Sequence, residues 1–346
     1  MKDVSRLRAL KTILLLCTAC APKIEAQLPT GSIIRFEIEN STLYQYDCAY
    51  SQLGTNPNRL DYPIPLSGFK AGVAIGDIVS VNGSPAKGSA YESSVALFVG
   101  SPNIVPGQPI TDDGRSGIAS WDLTFMNPDG TQIGAVHVDG MIGGGRTPGV
   151  PSALGGGSYS VTGGTGAFFG VRGYFSAAQG AAANPPTVGE RVTSACEDPS
   201  LRRAYADGRG HRHGVLYLIP LIVPEFVRRS GGAPALFHGD LSPVTGSKPA
   251  TAGEVLIGMA RGLGPTIPGV DPSQPFPVSP LQPANSPVEV TVNGNPAEVI
   301  NKTGWPGLVG TYRVDFRLPE ATTPGTAAIQ LSAAWIQGPS VSVPVQ

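Results

Sequence analysis

The sequence predicts an all-β protein in two parts, and three observations carry that reading. Short apolar–polar alternations recur along nearly the whole chain, as expected of strands with one buried face. Glycine and proline supply 46 and 34 of the 346 residues, so turns are frequent. No stretch joins sustained helical periodicity to capping residues. Charged residues make up only 14%, against about 25% in an average soluble protein. The net charge of −1 offers no basic excess for nucleic acid, and there is no collagen-like glycine period.

Residues 1–26 read as a secretory signal peptide. Lys2, Arg6, Arg8 and Lys11 form a positive start, Thr12 through Ala21 a short apolar core, and Ile24 with Ala26 a cleavage site that leaves Gln27 first. The alternative is a membrane anchor, but the run is well short of the ~20 apolar residues a span needs. The mature chain is therefore expected to be secreted, cell-surface or periplasmic, and not membrane-spanning. Two of the four cysteines would leave with the peptide. Cys48 and Cys196 remain, either as a disulfide, which such compartments preserve, or as two buried thiols.

The strands follow in order. Ser32–Glu39 alternates Ile34, Phe36 and Ile38 with Arg35, Glu37 and Glu39. Similar runs occupy 72–81, 93–100, 118–126, 131–140, 157–163 and 167–177. Asn82-Gly83 and Asn127-Pro128-Asp129-Gly130 mark hairpins between them. Six to eight strands in about 150 residues predict a closed antiparallel barrel or a sandwich. Residues 199–234 read as a connection. Their polar part carries Arg202, Arg203, Arg209 and Arg212, and their apolar part, 215–227, is broken by Pro220 and Pro224, which favours an edge strand. From 235 onward the strands shorten. Asn293-Gly294 marks a hairpin, and Tyr312, Val314 and Phe316 alternate with Arg313, Asp315 and Arg317. About seven short strands in about 100 residues predict a sandwich. The proline-rich stretch 265–287 reads as a long loop between strands.

Two stretches resemble known families. GGTGAFFGVRG (163–173) is similar to the signature of the dirigent and allene oxide cyclase barrels, and residues 121–141 resemble the strand pair that precedes it there. The resemblance spans about 30–180 and implies an eight-stranded antiparallel barrel over 27–198. In it, Gly163, Gly164 and Gly166 would form a tight turn with positive φ, Phe168 or Phe169 would plug the core, and Gly173 would let the next strand bend. Residues 235–346, with GSKPATAGEVLIGMARGLGP (246–265), PVEVTVNGNPAEV (287–299) and GLVGTYRVDFRLPEATTPG (307–325), resemble the immunoglobulin-like IPT/TIG module of exported soil-bacterial proteins. That implies a location more than an activity.

Chemistry is sparse in the sequence. The barrel families use a lumen with a few charged groups, and Arg172 matches the arginine of the signature. Ile133, Ala135, His137 and Asp139 share one strand face. If that face is the lumen, His137, Asp139 and Arg172 would polarise a ligand; otherwise they are rim residues or an ion pair. His211 and His213 would share a strand face, but no third ligand is evident in the sequence, so they read as a solvated connection and no metal or cofactor is assigned. No G-x-S-x-G elbow or nucleophile–base spacing is present, and no catalytic residue is assigned. The expectation is an exported, non-catalytic binding or surface-display protein. Its barrel would hold a small hydrophobic ligand or meet an envelope or extracellular partner, with homo-oligomers implied by the barrel resemblance. The alternatives are a cyclase-like or coupling-directing enzyme on a hydrophobic substrate, and a purely structural adhesion scaffold.

Overall fold

The computed structural model describes residues 31–45, 69–97, 117–142, 157–179, 191–194, 203–204 and 211–346. The stretch read as a signal peptide, and both Cys48 and Cys196, lie outside the described residues. Those residues form strands, turns and loops without a helix.

Seven strands run up and down in sequence order. They are β1 (Ser32–Gln45), β2 (Phe69–Val81), β3 (Ser84–Leu97), β4 (Gly117–Met126), β5 (Gln132–Ile142), β6 (Gly157–Gly166) and β7 (Arg172–Gln179). Two short strands follow, β8 (Arg191–Ser194) and β9 (Arg203–Ala204). Then β10 (Arg212–Ile219) pairs antiparallel with β7 on one side and β1 on the other, which closes an eight-stranded barrel. β10 pairs with β1 only as far as Ile38; from Thr42 onward β1 pairs instead with β8, in parallel. The segment read as a connection thus supplies the closing strand. The run read as an edge strand is paired on both sides up to Leu218 and on one side at Ile219, and Pro220 ends it.

Alternation decides what fills the barrel. Ile34, Phe36 and Ile38 of β1 point inward with Leu123 and Phe125 of β4, Phe175 of β7, and Leu216 and Leu218 of β10, and all are essentially buried. Phe36 stacks on Phe175 with ring centroids 6.1 Å apart and meets Phe125 edge-on at 5.8 Å. A side chain at Gly214 would strike the Phe36 ring, so that position admits only glycine.

One end of the barrel is built from tight turns. Asn82 and Gly83 join β2 to β3 with φ of 50° and 81°, the left-handed pair of a type I′ hairpin. The β6–β7 turn carries the GGTG signature, and its glycines differ in role. Gly166 takes φ 60°. Gly164 lies so close to the Phe168 and Ala135 carbonyls that a Cβ would collide, and at Gly173 a Cβ would meet the Tyr217 carbonyl. Gly163 has neither constraint, so the expected positive φ across the motif holds at Gly166 alone. The plug is Phe168, fully buried and 5.4 Å from Phe125, whereas Phe169 is exposed.

The second sheet contains β11 (Glu225–Phe226), β12 (Leu236–Phe237), β13 (Val255–Arg261), β14 (Val288–Val292), β15 (Asn295–Gly304), β16 (Thr311–Arg317), β17 (Gly325–Ala333) and β18 (Ile336–Val345). Its order is β11-β13-β16-β15-β14-β17-β18, with β12 also on β13. An Ala250–Val345 bridge and contacts of β11 with β17 and β18 bring its ends together. It is therefore nearly closed and not clearly the expected immunoglobulin-like sandwich. Leu256, Val314, Phe316, Ile329 and Leu331 centre its core.

Gly31–Gln346 forms one unit. The β17–β18 hairpin tip enters the turn end of the barrel: Ala334 and Ile336 join the barrel core, and Trp335 packs 5.5 Å from Phe125. Ala334 and Trp335 both take positive φ, 48° and 61°, a strained choice for non-glycine residues that the insertion holds in place. Asn285, in the proline-rich loop, accepts from Asn127 Nδ2 and donates to the Gln132 carbonyl at 2.7 Å. The loop is thereby stitched to the β4–β5 hairpin.

Candidate functional site

His137, Asp139 and Arg172, which would bind a ligand if their face were the lumen, stand on the outer wall. Val136 and Val138 occupy the inward positions of β5, so His137 and Asp139 face out. His137 pairs with Asp122 across the β4–β5 register, and both are about half exposed. Asp139 accepts from Ser120 and from Thr162 Oγ1. Arg172 donates to the Thr162 and Val171 carbonyls, and Thr162 Oγ1 also reaches the His137 carbonyl. The three residues do converge, around Thr162, but outside the barrel.

Inside, at the end away from the second sheet, the apolar packing gives way to charge. Glu92 is paired in register with Trp121, and Trp121 points inward like Leu123. Arg212 shares the inward face of β10 with Gly214 and Leu216. The guanidinium crosses the lumen to Glu92, Nη1 to Oε2 2.7 Å, with only 18% and 12% of the two side chains exposed. It also lies 5.7 Å from the Trp121 ring centroid, within cation–π range.

Tyr159 completes this layer, 6.5 Å from Trp121 and 5.7 Å from Phe175. Burial, reinforced by the Glu92 charge, pushes its hydroxyl up to about 12. The Trp121 indole N–H approaches the Tyr159 hydroxyl and opposes that rise, but the contact falls short of a full hydrogen bond, and the indole N–H makes no other among the described residues. An unfulfilled buried donor costs about 1–3 kcal/mol and calls for an explanation. Trp121 and Tyr159 are both buried, 5% and 4% exposed, so this layer is an apolar wall with a few polar groups at its edge.

A concavity lies outside the lumen. A cleft of about 530 Å³ runs between the β6–β7 turn and the second sheet, lined by Ala167, Phe169, Val171, Ile222, Arg261 and Tyr312 among others. Burial pushes the Tyr312 hydroxyl up to about 12, and it donates to the Gly264 carbonyl.

Sequence reasoning missed Glu92 and Arg212 for different reasons. Arg212 sits among glycines, arginines and histidines that look solvated. Glu92 follows a tyrosine in a serine-rich run. The only available signal was strand parity, which puts Glu92 in phase with Ala90 and Arg212 in phase with Leu216.

Comparison with protein-family models, curated proteins and solved structures finds no match for this chain.

Proposed function

We propose that this is an exported, non-catalytic binding protein whose barrel takes a small, largely apolar ligand with a hydrogen-bond-accepting oxygen. The observation that carries the proposal is the Glu92–Arg212 pair across the lumen beside the Trp121 N–H, which makes no full hydrogen bond among the described residues. Buried ion pairs are weak stabilisers compared with apolar packing, so a barrel needing only stability has no use for one. A few placed polar groups over an apolar floor are the usual make-up of a small-molecule site. Glu92 is engaged by Arg212, and Tyr159 holds its proton far above neutral pH, which supports binding over proton-transfer chemistry. Export rests on the N-terminal pattern, and the resemblance of GGTGAFFGVRG (163–173) to the dirigent and allene oxide cyclase signature agrees with a lumenal ligand.

The test uses 8-anilinonaphthalene-1-sulfonate as the probe and follows its fluorescence and the quenching of tryptophan emission. Saturable binding that falls about three- to tenfold in Trp121→Phe, the worth of one hydrogen bond, is expected. Binding untouched by Trp121→Phe overturns the lumenal site. The second reading, ligand capture in the cleft, rests on its apolar lining and ~530 Å³ volume. It predicts loss of probe binding in Phe169→Ala instead.

A further inference from the structure

The structure assigns a zinc site to Glu37, His211 and His213 on the outer wall of the barrel, at the seam between its first and last strands. His213 is the register partner of Glu37 across β1 and β10. His211 lies two residues earlier, so both imidazoles emerge on the same side of the chain. The Glu37 carboxylate receives both rings on one oxygen: His211 Nε2 stands 2.9 Å from Oε2, and His213 Nδ1 meets the same atom. The rings are 4.8 Å apart and tilted by 56°. One donor atom from each residue falls within 4.8 Å of the others, and all three residues are partly buried.

Two imidazoles and a carboxylate suit a borderline divalent ion rather than the all-oxygen shells of calcium or magnesium. Zinc takes nitrogen at ~2.0–2.1 Å and carboxylate oxygen at ~2.0–2.2 Å. Its tetrahedral donors therefore sit roughly 3.3–3.5 Å apart. Rotation of three partly buried side chains covers that difference while the backbone register stays fixed. Each imidazole would turn its N–H tautomer and present a lone pair in place of the hydrogen bond it now gives to Glu37. Solvent supplies the fourth position, since none of the three side chains is sealed.

The place explains what the ion would do. β1 leaves β10 after Ile38, so the cluster sits where the seam's last ladder pairs end. The bridged residues are 174 apart in sequence, and clips across long loops stabilise most. Between the two histidines, Arg212 points the opposite way into the lumen. A metal fixing both neighbours would also fix the arginine that pairs with Glu92. The clamp and the lumenal ligand are separate claims, and either can fail alone.

The experiment uses untagged protein stripped with a chelator and titrated with Zn²⁺ by calorimetry. One ion per chain is expected, with a dissociation constant of about 10 μM or tighter. A raised thermal midpoint is expected with Zn²⁺ and not with Mg²⁺. His211→Ala and His213→Ala should each weaken binding about tenfold or more, while His137→Ala and His238→Ala leave it unchanged. Co²⁺ on the unaltered protein should give a visible absorption band that Zn²⁺ abolishes, a readout that needs no variant to fold. No saturable Zn²⁺ binding below about 100 μM, or affinity unchanged in the His211→Ala/His213→Ala double variant, overturns the assignment.

Discussion

The two ends of the barrel are made from the same strands and solve opposite problems. At the turn end, Phe168 and Phe125 fill the lumen, and a strained hairpin tip from the second sheet covers them. The plug itself is apolar and needs only contact; Ser32, in phase with Ile34, is a polar exception whose Oγ accepts from the Gln337 N–H at the hairpin tip. At the other end the inward positions of β3 and β10 hold Glu92 and Arg212. Those charges need each other, and the indole N–H beside them makes no full hydrogen bond among the described residues. One end is organised for stability; the other gives some stability away to keep polar groups out of water, which is expected where a ligand binds.

The contrast breaks most sharply at the plug. Phe168→Ala should cost about 4 kcal/mol, the usual range for emptying a buried aromatic site, measured by chemical denaturation. A loss near 1 kcal/mol would mean that the turn end is loosely packed.

At the polar end, Arg212→Ala should cost about 3 kcal/mol, because it strands the Glu92 carboxylate. Replacing both residues by methionine should recover most of that loss. If the double substitution is as damaging as the single one, the pair is structural and the contrast between the ends disappears.

Alkaline pH sharpens the comparison further. Tyr159 and Tyr312 have hydroxyls raised from about 10 to about 12. A raised folded-state value favours the protonated group in the native protein. Its contribution is complete below pH 10 and is lost between pH 10 and 12. Each is worth up to about 2–3 kcal/mol. Tyr159→Phe, at the polar end, and Tyr312→Phe, beside the cleft, should each flatten part of the stability profile in that window. A profile unchanged by both substitutions would contradict this.

The smallest effect belongs to a turn. Asn82 takes φ 50°, and its Oδ1 accepts from the Arg35 backbone N–H at 2.9 Å. Asn82→Ala should cost about 1 kcal/mol, with Asn82→Gly less damaging, as read from thermal melts.

Local pattern made the strands legible, and little else. Strand parity in Ser32–Glu39 and the Asn-Gly pairs predict elements that the structure contains, because both depend on neighbours in sequence. The closing strand was obscured because its polar start resembles a loop and Pro220 looks like a break within it rather than its end. The outward facing of His137 was undecided because alternation fixes which residues share a face, not which face is inside. Glu37 could not be joined to His211 and His213 from sequence, since their meeting depends on closure between strands far apart in the chain. The same holds for the lumenal pair, whose two strands are separated by more than a hundred residues.

Closure by a remote strand also sets the order of events during synthesis. β1 through β7 can zip onto one another before β10 joins, because each neighbours the next. Until β10 follows, this curled sheet has two unpaired edges, β7 and the Ser32–Ile38 part of β1 that β8 does not cover. Such exposed edges invite pairing with other chains. A nascent or truncated product ending before Arg212 is therefore the aggregation-prone form of this protein, and completion of β10 removes the hazard.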